Sequence, residues 1–179
     1  MPTAFGFICF ETALGTCGIA WGEAGIVGSQ LPEDDAAATR RRMQARFPGA
    51  TEVGPPEEVQ RALELVQAML RGEPADVSGV RLDMTGVPAF HQRVYEVSLK
   101  LKPGETTTYG EMARQLGEPG AARAVGQALG HNPFAPIVPC HRILAAGGRS
   151  GGFSANGGAA TKLRMLAIEG AMAQGSLFD

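Results

Sequence analysis

The 179-residue chain predicts a mixed α/β (α+β) fold, with a small strand-rich N-terminal domain over residues 1–85 and a mainly helical C-terminal domain over 86–179 that contains a helix-turn-helix. Three observations predict it. Apolar runs recur at short intervals in the first thirty residues, separated by Gly and polar residues, as in a strand meander. Two stretches behind them repeat apolar residues at helical spacing. Beyond Thr85 the chain turns to short helical segments punctuated by Pro and Gly.

The meander strands are expected at Ala4 to Phe10, Gly15 to Trp21 and Ile26 to Leu31. A helix is expected from Asp34 to Phe47. Its acidic start suits the helix dipole, Arg40-Arg41-Arg42 reads as a solvated face, and Pro48-Gly49 stops it. Val59, Leu63, Val66 and Leu70 give a second helix, Pro56 to Arg71, one apolar face. Asp76 to Pro88 reads as a short strand followed by a linker.

In the second half, Phe90, Val94, Val97 and Leu101 mark a helix over Ala89 to Leu101. Thr108 is a good N-cap for Tyr109 to Leu116, with Glu111 at the third helical position, as in a capping box. Gly117-Glu118-Pro119-Gly120 breaks the chain before an Ala-rich helix, Ala121 to Leu129. Two short helices joined by a Gly-containing turn suit a helix-turn-helix, and equally a helical hairpin in a core. A loop rich in Gly follows from Ala145 to Gly158, then a last helix, Ala159 to Ala171, and a frayed tail from Gly175.

Hydrophobic content of 44% with 19% charged residues is that of an ordinary globular protein. The three cysteines, Cys9, Cys17 and Cys140, are odd in number and widely spaced. That argues against a disulfide framework and for a reducing compartment, so a cytoplasmic location is expected. No apolar run of about 18 residues occurs, and the N-terminus lacks the basic start of a secretory signal. Net charge is −2, unevenly spread. Residues 1–85 hold seven Arg and no Lys against twelve Asp and Glu, a net −5; residues 86–179 hold nine Lys and Arg against six, a net +3. A mildly basic second half is compatible with phosphate contacts and equally with a solvated surface.

Pro139-Cys140-His141-Arg142, directly after Ile137-Val138, concentrates the chemistry. A thiol attacks as its thiolate, and a neighbouring imidazole or guanidinium lowers its pKa. The block supplies a nucleophile, a base and a fixed cation. A lone cysteine is otherwise most often a packing residue.

Together with Asn132-Pro133, this block resembles the active site of the alkylguanine-DNA alkyltransferases, also called methylated-DNA–protein-cysteine methyltransferases. The resemblance extends upstream through Thr108-Tyr109-Gly110-Glu111-Met112-Ala113 and Ala121-Ala122-Arg123-Ala124-Val125-Gly126. Downstream it includes Gly152-Phe153-Ser154, Lys162 and Ala167-Ile168-Glu169-Gly170. It covers about residues 88–171; the first 85 match only in layout. It implies a ribonuclease-H-like N-terminal domain and a winged-helix-like C-terminal one. It also implies single-turnover repair of 6-O-alkylguanine in duplex DNA, with 4-O-methylthymine a second candidate lesion, by a monomer with no metal and no S-adenosylmethionine.

By that resemblance Cys140 is the alkyl acceptor, and His141 takes its proton through a water. Glu169 orients His141, Asn132 shapes the active-site turn, and Tyr109 donates a proton to the departing guanine. Reaching the base demands its extrusion from the duplex, and Arg123 resembles the arginine that fills the gap. The helix bearing Arg123 enters the minor groove, with Ala122, Gly126 and Leu129 expected along the DNA. Arg142, and the backbone at Cys140, Ile143 and Ser154, complete the expected DNA and substrate contacts.

This chain departs from the family pattern in two places. The interval from Phe153 to Glu169 is two residues longer, assigned to Ser154-Ala155-Asn156-Gly157-Gly158, and Phe153 stands where Tyr is frequent. No structural zinc is expected, since Cys9 and Cys17 have no histidine nearby. The alternatives are a non-enzymatic lesion binder, which would lack the cysteine, a cysteine hydrolase, whose histidine normally lies far off in sequence, and a helix-turn-helix regulator, which leaves the Cys140 block unexplained.

Overall fold

The structure is a computed structural model that describes residues 3–145 and 155–171. Its first three strands, β1 (Gly6–Thr12), β2 (Gly15–Gly22) and β3 (Gly25–Gln30), form the expected antiparallel meander. Gly15 and Gly25 end the two hairpin turns at φ +126°, a conformation side chains resist. A two-residue strand, β4 (Thr51–Glu52), pairs parallel with β1 and completes the order β3-β2-β1-β4.

Side chains alternate across this sheet. Phe7, Ala20 and Val27 point to one face, where α1 (Ala36–Arg46) closes over them with Met43 and the residue after it, Phe47. Asp35 caps α1, accepting from the Ala38 amide at 2.7 Å, so this acid serves as cap and lies outside the first turn. Arg40, Arg41 and Arg42 lie on its exposed side. Phe10, Cys17, Ile19, Trp21 and Ile26 join the opposite face. There α2 (Glu57–Leu70) buries Val59, Leu63, Val66 and Leu70, the stripe its periodicity marked. Residues 76–88 form no strand. They run beside β3 in a single bridge, Leu82 to Ile26, with hydrogen bonds at Arg81 and Asp83 that cover the sheet edge.

In the second half, α3 (Ala89–Ser98) and α5 (Ala122–Gly130) pack together, and the buried Tyr95 hydroxyl donates to the Ala128 carbonyl at 2.6 Å. Thr108 caps α4 (Tyr109–Gln115) through the Glu111 amide, 3.1 Å away. Glu111 itself reaches forward to Arg114, so only half of the expected capping box forms. Helices α4 and α5 pack as the expected pair. Two further strands escaped the sequence because each has two residues: β5 (Thr107–Thr108) and β6 (Ile143–Leu144), paired in parallel. The last helix, α6, spans Gly158–Ile168, ending sooner than expected, with Glu169 at its C-cap. One apolar core runs through both halves, from Ile19 and Val66 to Val94, Val125, Val138 and Ile143. Among the described residues no helix is long and apolar enough to cross a membrane.

Candidate active site

The stretch from Asn132 to Arg142 turns back on itself around the Asn132 side chain. Asn132 Oδ1 accepts from the Phe134 amide at 2.9 Å, and Nδ2 donates to the Val138 carbonyl at 2.9 Å. The Phe134 carbonyl takes the Val138 amide at 3.0 Å. The chain then enters a single 3-10 turn, Cys140–Arg142. With three residues per turn, successive side chains leave it about 120° apart. Cys140, His141 and Arg142 therefore face different neighbours, although they adjoin in sequence.

Cys140 is buried. Burial pushes its thiol pKa up, against the lowering effects of the Asn132 hydrogen bond, the Lys162 charge and the amides of Cys140 and His141. His141 is itself pushed toward its neutral form by burial. The expected lowering of the thiol pKa by its neighbours is outweighed here by burial, which keeps the thiol protonated.

His141 is fully buried, and its Nε2 lies 3.0 Å from Glu169 Oε2. Arg142 grips the same carboxylate as a fork, Nε to Oε1 at 2.9 Å and Nη2 to Oε2 at 2.6 Å, and donates Nη1 to the Leu101 carbonyl at 2.7 Å. Burial would raise the Glu169 carboxyl, but the bonds and charges of His141 and Arg142 outweigh it and hold the pKa at about 2. A carboxylate at a helix C-terminus opposes the helix dipole, so these partners are what keep it there. The ionised Glu169 can only accept, so Nε2 carries the proton and Nδ1 keeps its lone pair. Nδ1 is buried and has no hydrogen-bond partner among the described residues. Burial first, then the Arg142 and Lys162 charges, keep the imidazole neutral against the pull of Glu169. Arg142 is 1% exposed and fully engaged. It therefore stands away from any DNA contact, a second correction.

Lys162, from α6, was given no role by sequence, because its burial is a tertiary fact. It is 1% exposed and donates Nζ to the Ile143 carbonyl at 2.7 Å, 5.8 Å from the Tyr109 ring centroid. Burial lowers its pKa to about 8, with the Cys140 charge opposing. The Ile143 carbonyl, an expected guanine contact, thus already holds one donor and keeps one lone pair. Tyr109 opens α4, and a Cβ at Gly126 of α5 would meet its ring at 3.6 Å. Arg123 is exposed at the start of α5, with Ala122 half-buried beside it. Leu129 differs from expectation: its side chain is buried in the core. It lies on the wall of a cleft of about 310 Å³ that reaches Cys140, lined also by Gln30, Arg42, Asn132 and Ala155. Ser154 and Phe153 lie outside the described residues.

The fold thus gathers a neutral thiol, a neutral imidazole with a bare nitrogen, an anchored carboxylate and a buried lysine around one turn. The arrangement can accept a proton from the thiol as the sulfur attacks, which suits nucleophilic displacement.

Comparison with known proteins follows the same residues. The family described as 6-O-methylguanine DNA methyltransferase, DNA binding domain, matches residues 89–171. A methylated-DNA–protein-cysteine methyltransferase of Mycobacterium tuberculosis is 45% identical over 120 residues, 66% of this chain and 70% of that protein. One from Methanothermobacter thermautotrophicus is 30% identical over 158 residues, 88% of this chain and 81% of that one. The crystal structure of Mycobacterium tuberculosis OGT in complex with DNA superposes with a TM-score of 0.72 at 34% identity, covering 97% of this chain and 99% of the other. Identity of that level over nearly nine-tenths of the sequence, with the same fold, places this chain in the family of methylated-DNA–protein-cysteine methyltransferases.

Proposed function

We propose that this chain repairs DNA by direct reversal, moving the alkyl group of 6-O-alkylguanine onto its own Cys140 once per molecule. The observation that carries the proposal is the buried Cys140, His141 and Glu169 set, in which His141 Nδ1 is left bare. In the step, the Cys140 proton passes to Nδ1 through a water, and Glu169 stabilises the imidazolium that forms. The sulfur bonds to the alkyl carbon as the carbon–oxygen bond to guanine breaks. Tyr109 supplies a proton to the departing base, which leaves as neutral guanine. A thioether has no leaving group, so the protein is consumed.

The lesion must leave the stack to reach this site. In this reading α5 approaches the minor groove, where Ala122 and Gly126 let its backbone sit close and Arg123 fills the vacated space. Asn132 holds the turn, and the backbone at Cys140, Ile143 and Ser154 faces the base. Residues 86–179 carry DNA binding and chemistry, with residues 1–85 as scaffold, and the protein acts as a monomer. A lesion-binding role without transfer would leave the acceptor cysteine and its proton relay without a use.

Intact mass after mixing with a duplex carrying 6-O-methylguanine tests this. One methyl per chain, on the Cys140 peptide, is expected, and Cys140→Ser should bind without gaining mass. Binding with no adduct would favour the lesion binder, and repeated turnover would sink both readings.

A further inference from the structure

Residues 1–85 supply none of the groups that the transfer step uses, yet two of their side chains end on the turn that holds Asn132. Ser29 of β3 is buried. Its amide donates to the Pro133 carbonyl at 2.9 Å, and its hydroxyl to the Ala135 carbonyl at 2.8 Å. Arg46, the last residue of α1, donates Nη2 to the same Pro133 carbonyl at 3.2 Å, while Nη1 holds the Ser29 carbonyl at 2.9 Å and Gln30 Oε1 at 3.0 Å. Its guanidinium lies 4.9 Å over the Phe47 ring. The strand leaves room for this crossing: a Cβ at Gly28 would come within 2.6 Å of Phe47 and 2.8 Å of Arg46 Nη2.

The Pro133 carbonyl and the Phe134 amide are two ends of one planar peptide unit. Donors that fix the carbonyl therefore fix the direction of the N–H. That N–H donates to Asn132 Oδ1, which sets the orientation of the Asn132 amide and aims its Nδ2 toward Val138. Asn132 Nδ2 and the Cys140 amide then meet on one acceptor, the Val138 carbonyl, at 2.9 and 2.8 Å, and Asn132 lowers the thiol pKa against burial. The chain of contacts from α1 to Cys140 thus passes through one rigid peptide, the Asn132 side chain and the Val138 carbonyl.

We propose that Arg46 and Ser29 are positioning residues for the alkyl transfer, holding Asn132 against Cys140 by fixing the Pro133–Phe134 peptide plane. Neither touches the reacting atoms. The proposal rests on the alkyl-transfer reading for its rate, and on the contacts that place Asn132 beside Cys140 for its effect on the thiol.

The test uses the full chain carrying Arg46→Met, which keeps the contact with Phe47 and removes the donors, and Ser29→Ala, which removes only the hydroxyl. Two quantities are read. One is the pH profile of Cys140 carbamidomethylation by iodoacetamide, followed on the Cys140 peptide by mass. The other is the first-order methyl-transfer rate at saturating 6-O-methylguanine duplex. With Arg46→Met the thiol profile should move to higher pH, and the saturating rate should fall about tenfold to a hundredfold, as small misplacements of reacting groups do. Affinity for undamaged duplex should stay within about twofold, because the guanidinium is spent inside the fold. Ser29→Ala should give the same signs at smaller size, and Arg46→Lys should restore part of the rate. Ser29→Ala decides alone if Arg46→Met does not fold. An unmoved pH profile and rate, even with a lowered melting temperature, would overturn the proposal and leave Arg46 a packing residue. A wild-type chain that gains no methyl, while its variants still show the shifted thiol profile, would sink the alkyl-transfer reading and keep the positioning role.

Discussion

Around Cys140, burial decides the protonation states. It keeps the thiol and the imidazole neutral, while Glu169 stays charged only because Arg142 and His141 satisfy it. This division suits a protein that reacts once: the thiol is guarded until a substrate arrives, and the proton moves during attack. Two outcomes follow at this scale. Glu169→Gln removes the charge that stabilises the His141 imidazolium and leaves one acceptor oxygen for the donors of His141 and Arg142, so the transfer rate should fall about a hundredfold or more. It also strands the buried Arg142 charge, which should cost about 3–5 kcal/mol in urea unfolding. The acid limb of stability should carry the signature of Glu169. Its folded pKa of about 2 lies below the ordinary 4.5, so its contribution is whole above about pH 4.5 and is lost as pH falls toward 2. In that window wild type should lose stability that Glu169→Gln does not lose, as denaturant midpoints at several pH values would reveal.

Among the elements, α5 has two faces with opposite demands. Val125, Ala128 and Leu129 fill the core, whereas Arg123 and Gln127 are exposed. Gly126 lies between these faces, with room for a methyl at ordinary contact distance from the Tyr109 ring. Gly126→Ala should therefore stabilise the fold, by up to about 1 kcal/mol from helix propensity, while weakening duplex binding if the backbone approaches the groove there. Unchanged binding would remove the close approach from the reading. Arg123→Ala should weaken repair of duplex DNA and spare a single strand, because only a stacked lesion needs a filled gap. Matched repair assays on the two substrates would read this, and equal losses would remove the extrusion role.

For the molecule as a whole, charge and core are divided differently. The acidic excess lies in residues 1–85 and the basic excess in 86–179, while the apolar core is common to both. Duplex affinity should fall steeply with salt as phosphates release their counterions, with losses on neutralising Arg123. Anisotropy titrations at several salt concentrations would show this, and a flat salt dependence would exclude a phosphate-led interface. The shared core also explains how Ser29 and Arg46 can reach a turn more than eighty residues away.

The linear sequence by itself determined the meander, the helices whose apolar residues repeat at helical spacing, the cap at Thr108 and the thiol block, while the distant Glu169 entered only through the family resemblance. These are local patterns, carried by side-chain type and spacing along one chain direction. Tertiary structure alone decided which charges meet. Arg142 adjoins Cys140 in sequence but leaves a 3-10 turn in another direction and closes on Glu169. Nothing local in the sequence marks Lys162 as buried, yet α6 carries it to the Ile143 carbonyl, and nothing local marks Arg46 as the residue that crosses Gly28 to Pro133. The two-residue strands were too short to leave a pattern. Protonation belongs to the same class, because a pKa depends on burial and on neighbours through space, and a list of adjacent residues carries neither.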